Sequence, residues 1–215
     1  AVMKFGLMFA NVGPFGQPEG LVHLAQTAES VGFESLWTVE HVVVPKGYQS
    51  KYPYSDTGRM PGADDSPIPD PLIWLAYAAA VTTKIKLATG IIILPQRHPF
   101  YIAKEVATLD VLSRGRVVLG VGIGWLEEEF KAVGVPFESR AGRTEESIAA
   151  IRELWGKGSS EHHGTHYSWS SVESSRASVA WTRSRRSRST TPGAGEGSQD
   201  NARGDSTRAL SRSSP

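Results

Sequence analysis

Three groups of residues in this chain have the types and spacing for chemistry. The first is His41, which a strand predicted over residues 35–39 delivers, with Glu40 beside it, at the strand's C-terminal end. An imidazole titrates near neutrality, so His41 can exchange a proton or donate a hydrogen bond to a ligand. The alternative is a loop histidine held by a structural hydrogen bond. The second group is the alternating set Gly120, Gly122 and Gly124, which follows the apolar run Val117, Val118, Leu119 and Val121 and precedes an acidic helix start over residues 126–131. Strand, glycines and helix start together can point backbone N–H groups at an anion. The dinucleotide fingerprint Gly-x-Gly-x-x-Gly fails, because its last position falls on Trp125 or Glu127. A tight strand exit with no ligand is the other reading. The third group is His162, His163 and His166, whose spacing could bind a metal if a fixed frame and carboxylates supported it.

The elements that must carry these groups alternate regularly. Residues 4–10 form a first strand, and Pro18-Glu19 opens a helix with Leu21, Leu24, Ala25, Ala28 and Val31 on one face, stopped at Gly32. After the second strand, residues 45–69 form a long loop rich in Pro, Gly, Tyr and Asp, the length of a lid or binding loop. Asp70-Pro71 is a capping side chain followed by Pro at the first helical position, and a nearly all-apolar helix follows over residues 72–81. Residues 85–94 form a third strand, 100–112 a third helix with Ile102, Val106 and Leu109 inward, and Gly115 leads into the strand that carries the glycine triplet. The order β-α-β-α-β-α-β requires parallel pairing. A further helix spans residues 139–155, with Ile148, Ile151 and Trp155 on a stripe, and residues 162–169 form a turn and an extended segment. Glu127, Glu128 and Glu129 read as a solvated first helical turn favoured by the macrodipole. Arg140 and Arg143 are within reach of a phosphate or of a salt-bridge partner.

Composition narrows the classes. The 215 residues suffice for one sizeable core and a tail, and the net charge of +1 makes no case for nucleic acid or membrane. There is no Cys, which excludes disulfides and thiolate metal sites and fits a cytoplasmic location. No apolar run approaches transmembrane length, and the opening Ala1-Val2-Met3-Lys4 is unlike a signal peptide, with Met3 read as the natural first residue. From Ser170 onward Ser and Arg dominate, Lys is absent and large apolar residues are few. That composition predicts disorder over residues 170–215. Its Arg content is the one argument for nucleic-acid binding, weakened by a single aromatic residue, Trp181.

The motifs in order resemble the luciferase-like flavin and deazaflavin oxidoreductases. The carriers are Leu36-Trp37-Thr38-Val39-Glu40-His41, Thr89-Gly90-Ile91-Ile92-Ile93-Leu94-Pro95 and Arg97-His98-Pro99, followed by Ala107-Thr108-Leu109-Asp110-Val111-Leu112-Ser113-Arg114-Gly115-Arg116. Leu119-Gly120-Val121-Gly122-Ile123-Gly124-Trp125 and Gly134-Val135-Pro136-Phe137-Glu138-Ser139-Arg140 complete the match. The resemblance implies a (β/α)8 TIM barrel with its site at the C-terminal ends of the strands, near Asn11, Glu40-His41, Thr89-Gly90-Ile91 and Gly122-Ile123-Gly124. It covers residues 3–169, about the first half of such a barrel, so a truncated domain 1–169 and a Ser/Arg tail 170–215, read as out-of-frame, are expected.

The branch it resembles most implies hydride transfer through coenzyme F420 to a small-molecule substrate. The alternatives are an FMN-dependent monooxygenase of the same family and, in another class, an inactive fragment or a nucleic-acid binder through the tail. The resemblance makes His41 and Glu40 the catalytic pair. It puts a non-prolyl cis peptide at Gly90-Ile91, with Thr89, Gly90 and Ile91 against the cofactor ring and Gly122, Ile123 and Gly124 along its polar chain and phosphate. Trp125 stands where a sugar-phosphate branch has a Glu, which argues against that activity. The histidines at 162–166 match an ordinary turn of the family, so no metal is expected, and the implied association state is a homodimer.

Overall fold

A computed structural model describes residues 3–156 and 159–173. Its centre is a four-stranded parallel sheet in the order β1 (Gly6–Leu7), β2 (Ser35–Thr38), β3 (Lys86–Thr89), β5 (Val117–Val118). The register pairs Leu7 with Leu36, Leu36 with Leu87 and Leu87 with Val117. Helices α1 (Pro18–Ser30), α2 (Pro71–Val81) and α3 (Pro99–Leu112) cross between consecutive strands. Leu36, Leu87, Leu75 and Ile102 meet in one hydrophobic cluster between sheet and helices, all without solvent exposure. Gly6, Ser35 and Trp37 approach one another on the opposite face. This is the βα arrangement of a TIM barrel over part of its circumference.

The single strand expected over residues 85–94 is two. β3 ends at Thr89, the Gly90–Ile91 peptide is cis, and β4 (Ile92–Ile93) resumes beyond it. The neighbouring strand breaks in step, into β5 and β6 (Val121–Gly122). One hydroxyl explains the shared break: Thr89 Oγ1 accepts from Gly120 N at 2.9 Å and donates to Gly120 O at 2.7 Å. At this level the Thr89 side chain joins a single backbone bond, Ile92 N to Gly120 O at 3.0 Å, and β4 pairs with β6 as a separate two-stranded sheet. Gly120 is obligatory, since a Cβ there would lie 2.1 Å from Thr89 O. The first strand is also shorter than residues 4–10, reduced to Gly6–Leu7, and Phe9 takes a φ of 58°.

Two side chains hold the end of the sheet opposite the strand C-termini. Glu29 of α1 accepts from the backbone N–H groups of Thr83, Lys84 and Ile85. Against the opposing cost of burial, these bonds hold its carboxyl at about 2. Arg116 donates to the carbonyls of Ala79, Thr82, Ile85 and Ser113. Ala79 and Thr82 stand at the C-terminal end of α2, whose last carbonyls have no partner inside the helix. At the other end of α2, Asp70 Oδ1 accepts from Leu72 N and Ile73 N, as the Asp-Pro signal predicts.

After α4 (Glu127–Ala132) and α5 (Arg140–Gly156), an antiparallel hairpin of β7 (Ser159–His163) and β8 (Ser168–Glu173) folds back on α5. Glu146 fixes its turn by accepting from the N–H groups of Thr165, His166 and Tyr167. Ser170–Glu173, expected to be disordered, lies in β8, because Val172 pairs with Ser160 and packs on the core cluster. Residues 174–215, and with them the rest of the predicted tail, lie outside the described residues. No helix among the described residues is long and apolar enough to cross a membrane.

Replacing Arg116 by Met keeps its bulk but strands several carbonyls. We expect a loss of about 3 kcal/mol in denaturant melts, with Arg116→Lys recovering less than half. Equal stability of wild type and Arg116→Met would remove the guanidinium from this role.

Candidate functional site

The site is built where the chain leaves β2. Glu40 and His41 are consecutive, so their side chains diverge. His41 Nδ1 lies 2.9 Å from Glu129 Oε2, and Glu129 has no solvent exposure at all. Glu129 Oε1 accepts from Val42 N at 2.6 Å and from Val43 N at 3.3 Å. The expectation of a solvated acidic turn at 127–129 is therefore corrected: Glu127 alone faces solvent. Glu128 Oε1 accepts from Gln49 N and Ser50 N, and its Oε2 from the Ser50 hydroxyl at 2.6 Å. The Ser50 hydroxyl first, then the backbone donors, draw Glu128 from an ordinary 4.5 to about 2. The first turn of α4 thus fastens the long loop at two points, residues 42–43 and 49–50.

Glu40 faces the other way, into the protein. Its Oε2 accepts from Ile93 N at 2.5 Å, and its Oε1 from Arg97 Nε at 3.0 Å and from Arg97 Nη2. Arg97 also donates to Asp70 Oδ2 at 2.7 Å. Burial pushes the Glu40 carboxyl up against the pull of Arg97, and Arg97 and Asp70 move in the directions that keep them charged. Both oxygens of Glu40 are engaged in fixing β4 and the chain after it. Of the predicted catalytic pair, His41 alone turns toward the strand-end rim, half-buried beside Trp125.

The glycine and isoleucine positions come together beside that rim. A Cβ on Gly122 would lie 2.7 Å from Ile91 Cδ1, so the bare backbone of Gly122 is what lets Ile91 lie over it. Gly90 sits against Met8 and Trp37, and its N–H donates to Thr38 O at 2.7 Å. Ile123 is 46% exposed, the apolar continuation of this shelf. Of the other predicted cofactor residues, Thr89 faces inward, and half-buried Gly124 has no room beneath it for a side chain. Thr89 is fully buried and its hydroxyl is engaged by Gly120. Gly124 has a φ of 78°, and a Cβ there would strike Phe130 and Ile93 beneath the shelf. Asn11, also buried, bonds Val39 N, Val39 O and Pro69 O, and so fixes the rim without facing it.

Two guanidinium groups stand at the start of α5. Arg140 lies 3.7 Å over the ring of Phe137, which touches Phe130 edge-on and so connects to Gly124. Arg143 lies over Tyr167 at 5.0 Å. Among the described residues neither forms an ion pair, and each has a buried Nε with no acceptor. Burial first, and then the uncompensated charge of Arg143, push His98 below its ordinary value. The three C-terminal histidines do not converge. His162 stacks on Trp169 and faces Glu146 and Glu153, His163 pairs with Glu161, and His166 Nε2 would lie 3.0 Å from a Cβ built on Gly142.

Because Glu128 is drawn down to about 2, its hold on the loop is complete above pH 4.5 and is lost as the pH falls toward 2. Hydrogen exchange at Gln49 and Ser50 is expected to accelerate across that window, and Glu128→Gln should show fast exchange at pH 7. Protection that does not change with pH in the wild type would show the loop is held elsewhere.

The comparisons agree with this architecture. An uncharacterised protein of Mycobacterium tuberculosis is 38% identical over 131 residues, 61% of this chain and 46% of its own. An F420-dependent glucose-6-phosphate dehydrogenase of Amycolatopsis mediterranei is 33% identical over 162 residues, 74% of this chain and 44% of its own. Among solved structures, the monooxygenase RslO1 of Streptomyces bottropensis superposes with a TM-score of 0.64 at 33% identity, covering 81% of this chain and 50% of that one. The FMN-bound oxygenating component of 3,6-diketocamphane monooxygenase from Pseudomonas putida gives 0.62 at 23% identity, over 80% of this chain and 44% of that one, a likeness of fold. The chain thus spans about half the length of the relatives it matches. Residues 3–182 match the family model described as luciferase-like monooxygenase, and the chain belongs to that family.

Proposed function

We propose that this chain carries the proton-handling and ring-supporting part of an oxidoreductase that moves a hydride between coenzyme F420 and a small organic substrate. The observation that carries the reading is His41, held by the buried Glu129 at the rim that also bears the Ile91–Gly122 shelf. The deazaflavin supplies the hydride-carrying ring when bound. Ile91 and Ile123 offer that ring an apolar surface. Arg140 and Arg143 are suited to its anionic tail, since their buried Nε atoms lack acceptors and no carboxylate neutralises them among the described residues.

His41 handles the proton. Glu129 Oε1 already accepts from Val42 N and Val43 N, so the group acts as an acceptor and orders a proton onto Nδ1 of His41. That leaves Nε2 of His41 to receive or hold a proton at the rim. Glu40 serves as a positioning residue, because it fixes β4 through Ile93 N and the following chain through Arg97. The F420-dependent relative supports the choice of deazaflavin, and the likeness of fold to an FMN-bound monooxygenase keeps FMN as the second candidate.

Fluorescence titrations with F420 and FMN test the reading. F420 should bind at least tenfold more tightly, and Arg140→Met should weaken it tenfold and flatten its salt dependence. The opposite cofactor order would move the protein to the FMN branch, and no affinity for either would sink the proposal. His41→Ala should slow turnover by about 100-fold, and Glu129→Gln should shift the pH profile with a smaller loss. Near-normal turnover of His41→Ala would return this residue to a structural role.

A further inference from the structure

The geometry points to a substrate wall made by Trp125, Tyr52 and Tyr54, and to a planar aromatic molecule bearing a hydroxyl or carbonyl as what it takes. This rests on His41 being the reacting side of the site. Trp125 meets the His41 ring edge-on at 5.8 Å, with the planes at 85°. Tyr52 meets Trp125 at 5.2 Å and Tyr54 at 5.5 Å, both again edge-on. The rings therefore continue outward from the imidazole as a connected series. Each edge-on contact covers a face of one ring, but Trp125 and Tyr52 keep partial exposure and Tyr54 most of its surface, and a flat aromatic guest stacks on such rings better than a flexible chain does.

The wall is held in place by groups that are not part of its surface. Tyr48 is buried, contacts Trp125 at 5.6 Å, accepts from Met60 N through its hydroxyl and has Arg59 over its ring at 4.5 Å. Glu128 fastens Gln49 and Ser50, three residues before Tyr52 at most, and Tyr52 N donates to Gly58 O at 2.8 Å. Pre-positioned rings lose little freedom when a guest binds. Trp125 and Tyr52 are half-buried and Tyr54 is 84% exposed, so the series runs from the reacting group to solvent. Among the described residues, the Trp125 indole N–H and the hydroxyls of Tyr52 and Tyr54 form no hydrogen bond, which leaves them to a substrate oxygen. The shelf, by contrast, presents aliphatic side chains, Ile91 and Ile123.

Equilibrium binding of 2-naphthol and of 1-decanol to the chain, by calorimetry, tests this. Naphthol should bind at least tenfold more tightly than decanol. Trp125→Leu and Tyr52→Leu should each lose about tenfold for naphthol, Trp125→Phe should restore most of it, and the exposed Tyr54→Ala should lose about threefold. Equal affinities for the two probes, or unchanged naphthol binding in Trp125→Leu, would overturn the wall. If Trp125→Leu does not fold, unchanged naphthol binding in both Tyr52→Leu and Tyr54→Ala overturns it. An F420 and FMN titration of the same samples separates the two readings: Trp125-dependent naphthol binding with no cofactor affinity supports the wall and overturns only the cofactor assignment.

Discussion

A carboxylate with no access to water is tolerated only where donors surround it, and Glu129 sits between three of them. His41, Val42 and Val43 all direct N–H or ring nitrogen at it, from a segment 86 to 88 positions away in sequence. That one contact sets the orientation of the imidazole, the exit path of the chain after β2 and the seating of α4. Phe130, the next residue, is equally buried and packs beneath Gly124 and against Phe137. Moving Glu129 would therefore shift the floor of the shelf as well as the histidine. Removing one member of such a cluster leaves buried donors unmatched, a cost of about 1–3 kcal/mol for each.

The shelf itself depends on a sheet that stops and restarts. Thr89 bonds both backbone groups of Gly120, whose carbonyl also accepts from Ile92 N. Beyond that level β4 and β6 pair on their own, and Glu40 clamps Ile93 N from the side of β2. The strand ends are thus fixed by side chains as well as by neighbouring strands, and Gly90, Ile91 and Gly122 present backbone and an isoleucine at the rim. Burial raises Glu40 and Arg97 opposes it, and the three-member chain Glu40–Arg97–Asp70 ties this clamp to the cap of α2.

Periodicity and capping made the βα order legible. Asp70-Pro71 marks α2, Gly32 and Gly115 mark helix ends, and the apolar runs mark strands, because each is a local property. The candidate rim was legible through His41, Gly90, Ile91 and the glycine triplet, once their order matched a family. What escaped was long-range. Nothing within Glu127-Glu128-Glu129 distinguishes the solvated acid from the loop clamp and the buried partner of His41, since their donors lie 78 to 88 residues earlier. Residues 85–94 read as one strand because the hydroxyl that splits it bonds a glycine 31 residues later. Ser170–Glu173 read as disordered because Val172 is isolated in composition, yet one apolar residue in register with Ser160 and packed on the core suffices for a strand end.

The face of the sheet away from the helices is left uncovered along β1. A parallel sheet is normally covered on both faces. Here α1 to α3 cover one, while Met3, Phe5, Met8 and Phe9 along the β1 side remain exposed among the described residues. A barrel covers such a surface by closing the sheet on itself, and the relatives are about twice as long as the matched region. Closure would add walls around the rim, but it need not move His41, because Glu129 holds it from within this half. The loop carrying Tyr52 is likewise fastened by Glu128 of the same half. His41, the Ile91–Ile123 shelf and the Trp125–Tyr52–Tyr54 rings are therefore positioned by contacts internal to these residues, and strands added opposite them would enclose a rim whose orientation is already set.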